Sequence, residues 1–137
     1  MIRHVFLSLP VADLDRAKAF FAALGLGFDP RFGGADGACV LLNERIAVML
    51  LPRATFERYA HKPVPDPMTT TQHLIAITLD SREAVDDLHD RAVAAGAASS
   101  NERDDYGFMY QRGFHDPDGH PWALTWMDPS RMPAGSA

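Results

Sequence analysis

Apolar positions recur along this chain with two periods, and the switch between them happens twice in the same order. Residues 4–10, "HVFLSLP", are rich in large apolar side chains and end at a proline, which predicts a strand. "ADLDRAKAFFAALGLG" then turns to helical spacing. Leu14, Ala17, Phe20, Phe21 and Leu24 form the stripe, Asp13 is the N-cap, and Gly25 stands where a helix stops. Short strands follow around 27–31, over 38–43 and over 45–52, and Asn43-Glu44 suits a hairpin between the last two, although it lacks a glycine. A second round opens with the strand "HLIAITLD" (73–80). Its helix takes Ser81 as cap, Val85, Leu88, Ala92 and Val93 as stripe, and Gly96 as stop. Strands over 97–103, 107–114 and 121–127 complete it.

The order β-α-β-β-β therefore occurs twice, and an internal duplication precedes any other fold argument. The first module covers 1–52 and the second 73–129. A linker with a short helix, "ATFERYA", fills 53–72, and 130–137 reads as a tail, within one structural domain overall. Each helix must bury its stripe against a sheet, so one face of every strand should be large and apolar. Val5, Leu7 and Leu9 form that face in the first strand, Ile46, Val48 and Leu50 in the fourth. Ile75, Ile77 and Leu79 do so in the fifth, Trp122, Leu124 and Trp126 in the last. The opposite face, with Phe6, Ser8, Met49, Leu74, Ala76, Ala123, Thr125 and Met127, is smaller or more polar but uncharged. The pattern predicts an α+β fold. Its two βαβββ modules form a curved mixed β-sheet, with helices on the outer face and a concave cleft for a small molecule.

Composition narrows the classes. With 137 residues, 47% hydrophobic and 23% charged, the chain reads as one soluble globular domain. A net charge of −5 with scattered Lys and Arg argues against a nucleic-acid groove. The lone Cys39 excludes an internal disulfide and a cysteine-rich zinc site, and reads as a packed small residue. The opening "MIRHVFLSLP" is too short for a signal peptide or a membrane span, so a cytoplasmic protein without membrane contact is expected.

The most site-like stretch is "FHDPDGHPWALTW", where His115, Asp116, Asp118 and His120 fall within six residues. A metal reading needs those side chains to converge within ~2.0–2.2 Å of one ion. Asp116-Pro117-Asp118-Gly119 instead carries the chemistry of a type I turn, with Asp116 able to accept an N–H two residues on and the side chains splayed outward. The turn is the expected reading.

Two βαβββ copies, "LPVADLDRAKAFFAALG" at the first helix and "DPDGHPWALTWMDP" near the end resemble the vicinal oxygen chelate superfamily. That group includes glyoxalase I, extradiol dioxygenases, fosfomycin-resistance enzymes and bleomycin-resistance proteins. The chain is most similar to small bacterial proteins described as lactoylglutathione lyase-like. The resemblance implies metal ligands on the first, fourth, fifth and eighth strands. Carried over, those positions fall on Phe6, between Ala47 and Met49 where no residue is acidic, on Leu74 and on Ala123, and the phenyl, isobutyl and methyl groups have no lone pair to offer a divalent ion. The expectation is therefore a protein without metal or cofactor that binds a small, largely apolar or aromatic molecule. The alternative is a metal-dependent lyase or dioxygenase using a displaced site, with His4 or His73 joined by Glu44 or Glu102. The resemblance also implies a homodimer.

Further candidates come from residue type. Tyr110 and Arg112 are placed in the cleft, where Arg112 would hold an anionic end of the ligand. Trp122 and Trp126 are placed against the helix. Asp86, Asp87, Asp90 and Arg91 read as a solvated helix face.

Overall fold

The computed structural model describes residues 1–131, apart from the side chains of residues 101 and 102. The chain forms two compact units, Met1–Asp66 and Pro67–Ala137, whose boundary falls inside the expected linker. Each unit is a βαβββ module with a four-stranded mixed sheet, which makes the fold α+β.

The first unit runs β1 (Val5–Val11), α1 (Leu14–Ala23), β2 (Gly27–Phe28), β3 (Ala38–Leu41), β4 (Ile46–Pro52) and α2 (Arg53–Ala60). Its strand order is β1-β4-β3-β2, with β1 parallel to β4 and the other pairs antiparallel. α1 starts where Asp13 accepts the Arg16 N–H at 3.0 Å and ends before Gly25 at φ 86°. Its buried Ala17, Phe20 and Phe21 lie against β3 and β4, where Val40, Val48 and Leu50 are fully enclosed. Phe20 and Phe21 meet edge to face with centroids 5.0 Å apart. Burial of each such side chain contributes roughly 1.5–3 kcal/mol, so the stripe holds the helix on the sheet.

One local expectation needed revision, and another held for a reason the sequence did not spell out. The strand expected around 27–31 stops at Phe28. Asp29 accepts the Arg31 N–H at 3.0 Å, and Pro30, which has no N–H for a ladder, begins a single 3-10 turn. The hairpin at Asn43-Glu44 forms without glycine because Asn43 Oδ1 accepts the N–H groups of both Arg45 and Ile46 at 2.8 Å.

The second unit runs β5 (Ile75–Thr78), α3 (Arg82–Ala94), β6 (Ala98–Asp105), β7 (Met109–His115) and β8 (Pro121–Met127), in the order β5-β8-β7-β6. Ser81 Oγ caps α3 by accepting the Ala84 N–H at 3.0 Å. Val85, His89 and Ala92 are the buried residues of α3, so His89 takes the place expected for Leu88, and Val93 turns out to be exposed. Ile75, Phe114, Trp122 and Leu124 form the sheet side of this core. The expected tail begins at 130, but Ser130 and Arg131 close a 3-10 turn on Asp128; residues 132–137 lie outside the described part.

Candidate functional site

In each unit the sheet has one face under its helix and one face away from it, and strand register decides which side chains share the second. On the first unit Phe6 lies opposite Ala47, which in turn lies opposite Leu41. Ser8, Met49 and Cys39 form the next row. A hollow of about 710 Å³ opens at the Phe6 row. Four apolar side chains stand about half exposed around it, Phe6 at 49%, Phe32 at 43%, Leu41 at 37% and, at the start of β1, Val5 at 43%, although Val5 was placed on the helix-packed face. Exposed apolar groups gathered about one hollow mark a binding surface more than scattered ones do. The Phe6 and Phe32 rings are 5.8 Å apart and tilted by 58°. Arg31 lies over Phe32 and gives its charge to Asp29 at 2.7 Å. Of the residues expected in the cleft here, Phe6 borders the hollow. Ser8 and Met49 share its face one row away. Cys39 borders the hollow as well, although it is buried, and burial pushes its thiol pKa up.

On the second unit the away face is built in rows across β6, β7, β8 and β5. Gly113, Ala123 and Ala76 make one row, and Asp104, Gln111, Thr125 and Thr78 the next. Met109 and Met127 follow. A depression of about 290 Å³ lies on this face, bordered among others by Leu74, Ser100, Asp104, Gln111, Gly113 and Ala123. Leu74, just before β5, is 79% exposed. Leu74 and Ala123 thus border the depression, and Ala76, Thr125 and Met127 lie on its face.

Arg112 borders the depression, but its guanidinium and the Tyr110 hydroxyl turn to the other side of the sheet, which corrects the expected anionic anchor. Tyr110 pairs with Trp126 and Arg112 with Leu124, on the side covered by α3. There the Tyr110 hydroxyl donates to Asp86 at 2.7 Å, and Arg112 reaches the same oxygen at 3.0 Å. Asp86 is therefore part of a helix-to-sheet polar seam, not of a solvated face. Against burial, which pushes it up, the hydrogen bonds from Tyr110 and Arg112 hold the Asp86 carboxyl below its usual range. Burial and the bond to Asp86 push Tyr110 up. Beside them Arg82 sits between the rings of Tyr110 and Trp126, 5.1 and 5.0 Å from their centroids. Its hydrogen bonds hold Asp105 down to about 2. The two tryptophans face the helix as expected. His89, which the helical spacing did not single out, joins Asp90 at 3.0 Å and Ser99 at 2.8 Å.

The "HDPDGH" stretch is a turn, as its residue order indicates, with the Gly119 N–H donated to the Asp116 carbonyl at 2.8 Å. His115 is exposed, but the other three polar side chains do not splay outward. Asp116, Asp118 and His120 are buried, because the Asp116 carboxylate folds back over the turn. Oδ1 accepts the N–H of Asp118 and of His120, both at 3.0 Å, and Oδ2 accepts the Trp122 indole N–H at 3.1 Å. Gly119 has φ 94°, and a Cβ there would stand 2.6 Å from the Pro67 carbonyl oxygen. The turn is therefore seated on the Pro67-Met68 segment of its own unit. Among the described residues, no group of three or more His, Cys, Asp or Glu is placed to hold a metal ion. Glu102, one carboxylate considered for a displaced site, lies outside the described side chains.

His73 stacks on His120 with centroids 5.4 Å apart, and its buried Nε2 has no hydrogen-bond partner among the described residues. Burial, with repulsion from His120, holds its pKa below the usual 6.5 despite Asp116. The folded protein thus takes this proton less readily than the unfolded chain. Above the unfolded value neither state is protonated and nothing is lost. As pH falls below it, the unfolded chain binds the proton first, and stability declines until the folded value is passed. Melting temperature should therefore drop between about pH 7.5 and 5.5, and drop less in His73→Phe, which keeps the stack without the proton. Equal slopes for the two proteins in a pH series of thermal melts would remove His73 as the cause.

Comparison with known proteins points one way. The sequence matches the Glyoxalase/Bleomycin resistance protein/Dioxygenase superfamily over residues 2–124. No curated protein matches it. Among solved structures, a hypothetical protein from S. aureus superposes with a TM-score of 0.78 at 22% identity, over 92% of this chain and 94% of that one. A lactoylglutathione lyase from Agrobacterium tumefaciens gives 0.67 at 19% identity, over 93% and 96%. A bleomycin resistance determinant encoded on the transposon Tn5 gives 0.62 at 17% identity, over 91% and 98%. Likeness at such identity shows a shared fold.

Proposed function

The chain belongs to the glyoxalase/bleomycin resistance protein/dioxygenase superfamily, and from that premise we propose that it binds a small, largely apolar or aromatic molecule without a metal ion. The observation that carries this reading is the hollow of about 710 Å³ on the first unit, with Phe6, Phe32 and Leu41 exposed around it. A buried planar ligand would cover apolar surface that the protein otherwise leaves in water.

The residues at the ligand positions that the family resemblance implies support the metal-free half of the proposal. Phe6 and Leu74 present hydrocarbon, and Ala123 a methyl group. The fourth-strand neighbour of Phe6 in register is Ala47. None offers an oxygen, nitrogen or sulfur lone pair, which a divalent ion requires. Isomerising a hemithioacetal needs a base and a cation to hold the developing enediolate, and these positions supply neither. We extend the reading to a homodimer in which the small ligand is the other partner.

One preparation tests it. Tag-free protein exposed to nickel, zinc and manganese and then dialysed should retain no stoichiometric metal by elemental analysis. A thermal-shift screen of small aromatic compounds should give hits that fade in Phe6→Ala, and light scattering at micromolar concentration should give the dimer mass. Stoichiometric metal that is lost in His4→Ala would replace this reading with a displaced-site lyase or dioxygenase.

A further inference from the structure

Resting on the reading that these faces hold a small ligand, we infer that the second unit's depression takes a flat ring carrying a nitrogen-borne donor, bound through Asp104 and Gln111. The floor comes first. Gly113, Ala123 and Ala76 stand side by side across three strands, so the middle of the face carries no side chain longer than a methyl group. A Cβ at Gly113 would stand 3.1 Å from the Trp122 carbonyl oxygen and 3.2 Å from Ser100 Oγ, so this part of the floor is backbone. Such a surface accepts a ring lying flat, because only a planar group can touch a level floor throughout its area. Leu74 supplies an apolar border on one side.

The polar row gives the direction. Thr125 Oγ1 donates to Gln111 Oε1 at 3.2 Å, which occupies the oxygen of that amide and leaves its NH₂ as a donor. Asp104 lies opposite Gln111 on β6, is half buried, and borders the depression. The arginines of β6 and β7 point to the other face. Arg112 is held by Asp86, and Arg103 alternates with Asp104 and lies opposite Arg112. A carboxylate acceptor beside an amide donor selects an edge that brings an N–H to Asp104, with His115 two rows beyond Gln111 as the titratable base on the same face. An aromatic carboxylate would place like charge against it. The depression therefore selects an amine or amidine, the opposite sign from the one that an Arg112 anchor would select.

Backbone amide shifts in ¹⁵N–¹H correlation spectra test this, with benzamidine, benzoate and benzyl alcohol as matched probes at millimolar concentration. Benzamidine should move the Gln111, Gly113 and Ala123 amides, and Asp104→Asn should weaken it by about tenfold or more while leaving the α3 amides in place. Benzoate binding there as well as benzamidine, or an unchanged benzamidine affinity in Asp104→Asn, would overturn the assignment. Probes that move only amides near Phe6, Phe32 and Leu41 would also overturn it but leave ligand binding standing. Silence from every probe on both faces would end both readings.

Discussion

Asp116→Ala should cost about 3–5 kcal/mol of stability, more than any exposed cap in the molecule, because it strips three buried N–H groups of their acceptor at once. Those donors are the backbone N–H of Asp118 and of His120 and the indole of Trp122. Each orphaned donor costs roughly 1–3 kcal/mol, less than additively since the turn can relax. Burial of the carboxyl works in the other direction and pushes its pKa up, so part of the gain from the three bonds offsets desolvation. Asp116→Asn separates the terms. Its remaining oxygen can serve the two backbone amides, but its NH₂ then faces the indole N–H, and about 1–2 kcal/mol should go. Asp13→Ala, which removes the N-cap of α1 at an exposed position, sets the scale at about 1 kcal/mol. Urea unfolding of the four proteins decides it. If Asp116→Ala lies within error of Asp13→Ala, the carboxylate does not brace the turn, and the buried Asp116, Asp118 and His120 lose their structural explanation.

The same residues show what a sequence can and cannot disclose. The turn was legible because proline and glycine constrain backbone angles locally, and the helix limits because Asp13, Ser81 and Gly25 act within one turn. The two rounds of βαβββ were legible because alternation and helical spacing are local too. The inward swing of Asp116 was not, since it depends on Trp122 being placed by the sheet. Nor was the direction of β7. Tyr110 and Arg112 alternate with Met109 and Gln111, and both sets mix polar with apolar, so periodicity alone leaves the faces open. Asp86 settles it from α3, and on a helix wheel it looks like any solvated acid. Phe32 joins Phe6 only because Asp29 and Pro30 close a 3-10 turn where a longer strand was expected.

Ala76→Trp should abolish ligand binding on the second unit, by about thirtyfold or more, with a stability change of no more than about 1 kcal/mol. Ala76 is exposed on the face away from α3 and lies beside Ala123 in register. An indole there would lie over the floor row and occupy the depression of about 290 Å³. The ligand loses its apolar contact, worth roughly 25 cal/mol for each Å² covered less the cost of immobilisation, because protein atoms now cover that area. The core is spared, since Ile75, one residue earlier, points under α3 and is buried. Ile75→Trp is therefore the contrast, and overpacking there should destabilise by roughly 1–3 kcal/mol or more. Calorimetric titration of benzamidine, with melts of both variants, reads the two effects separately. A collapse of Ala76→Trp would mean that this face is packed interior. Benzamidine that binds Ala76→Trp as tightly as the parent protein would mean that the second unit's face is not where it goes.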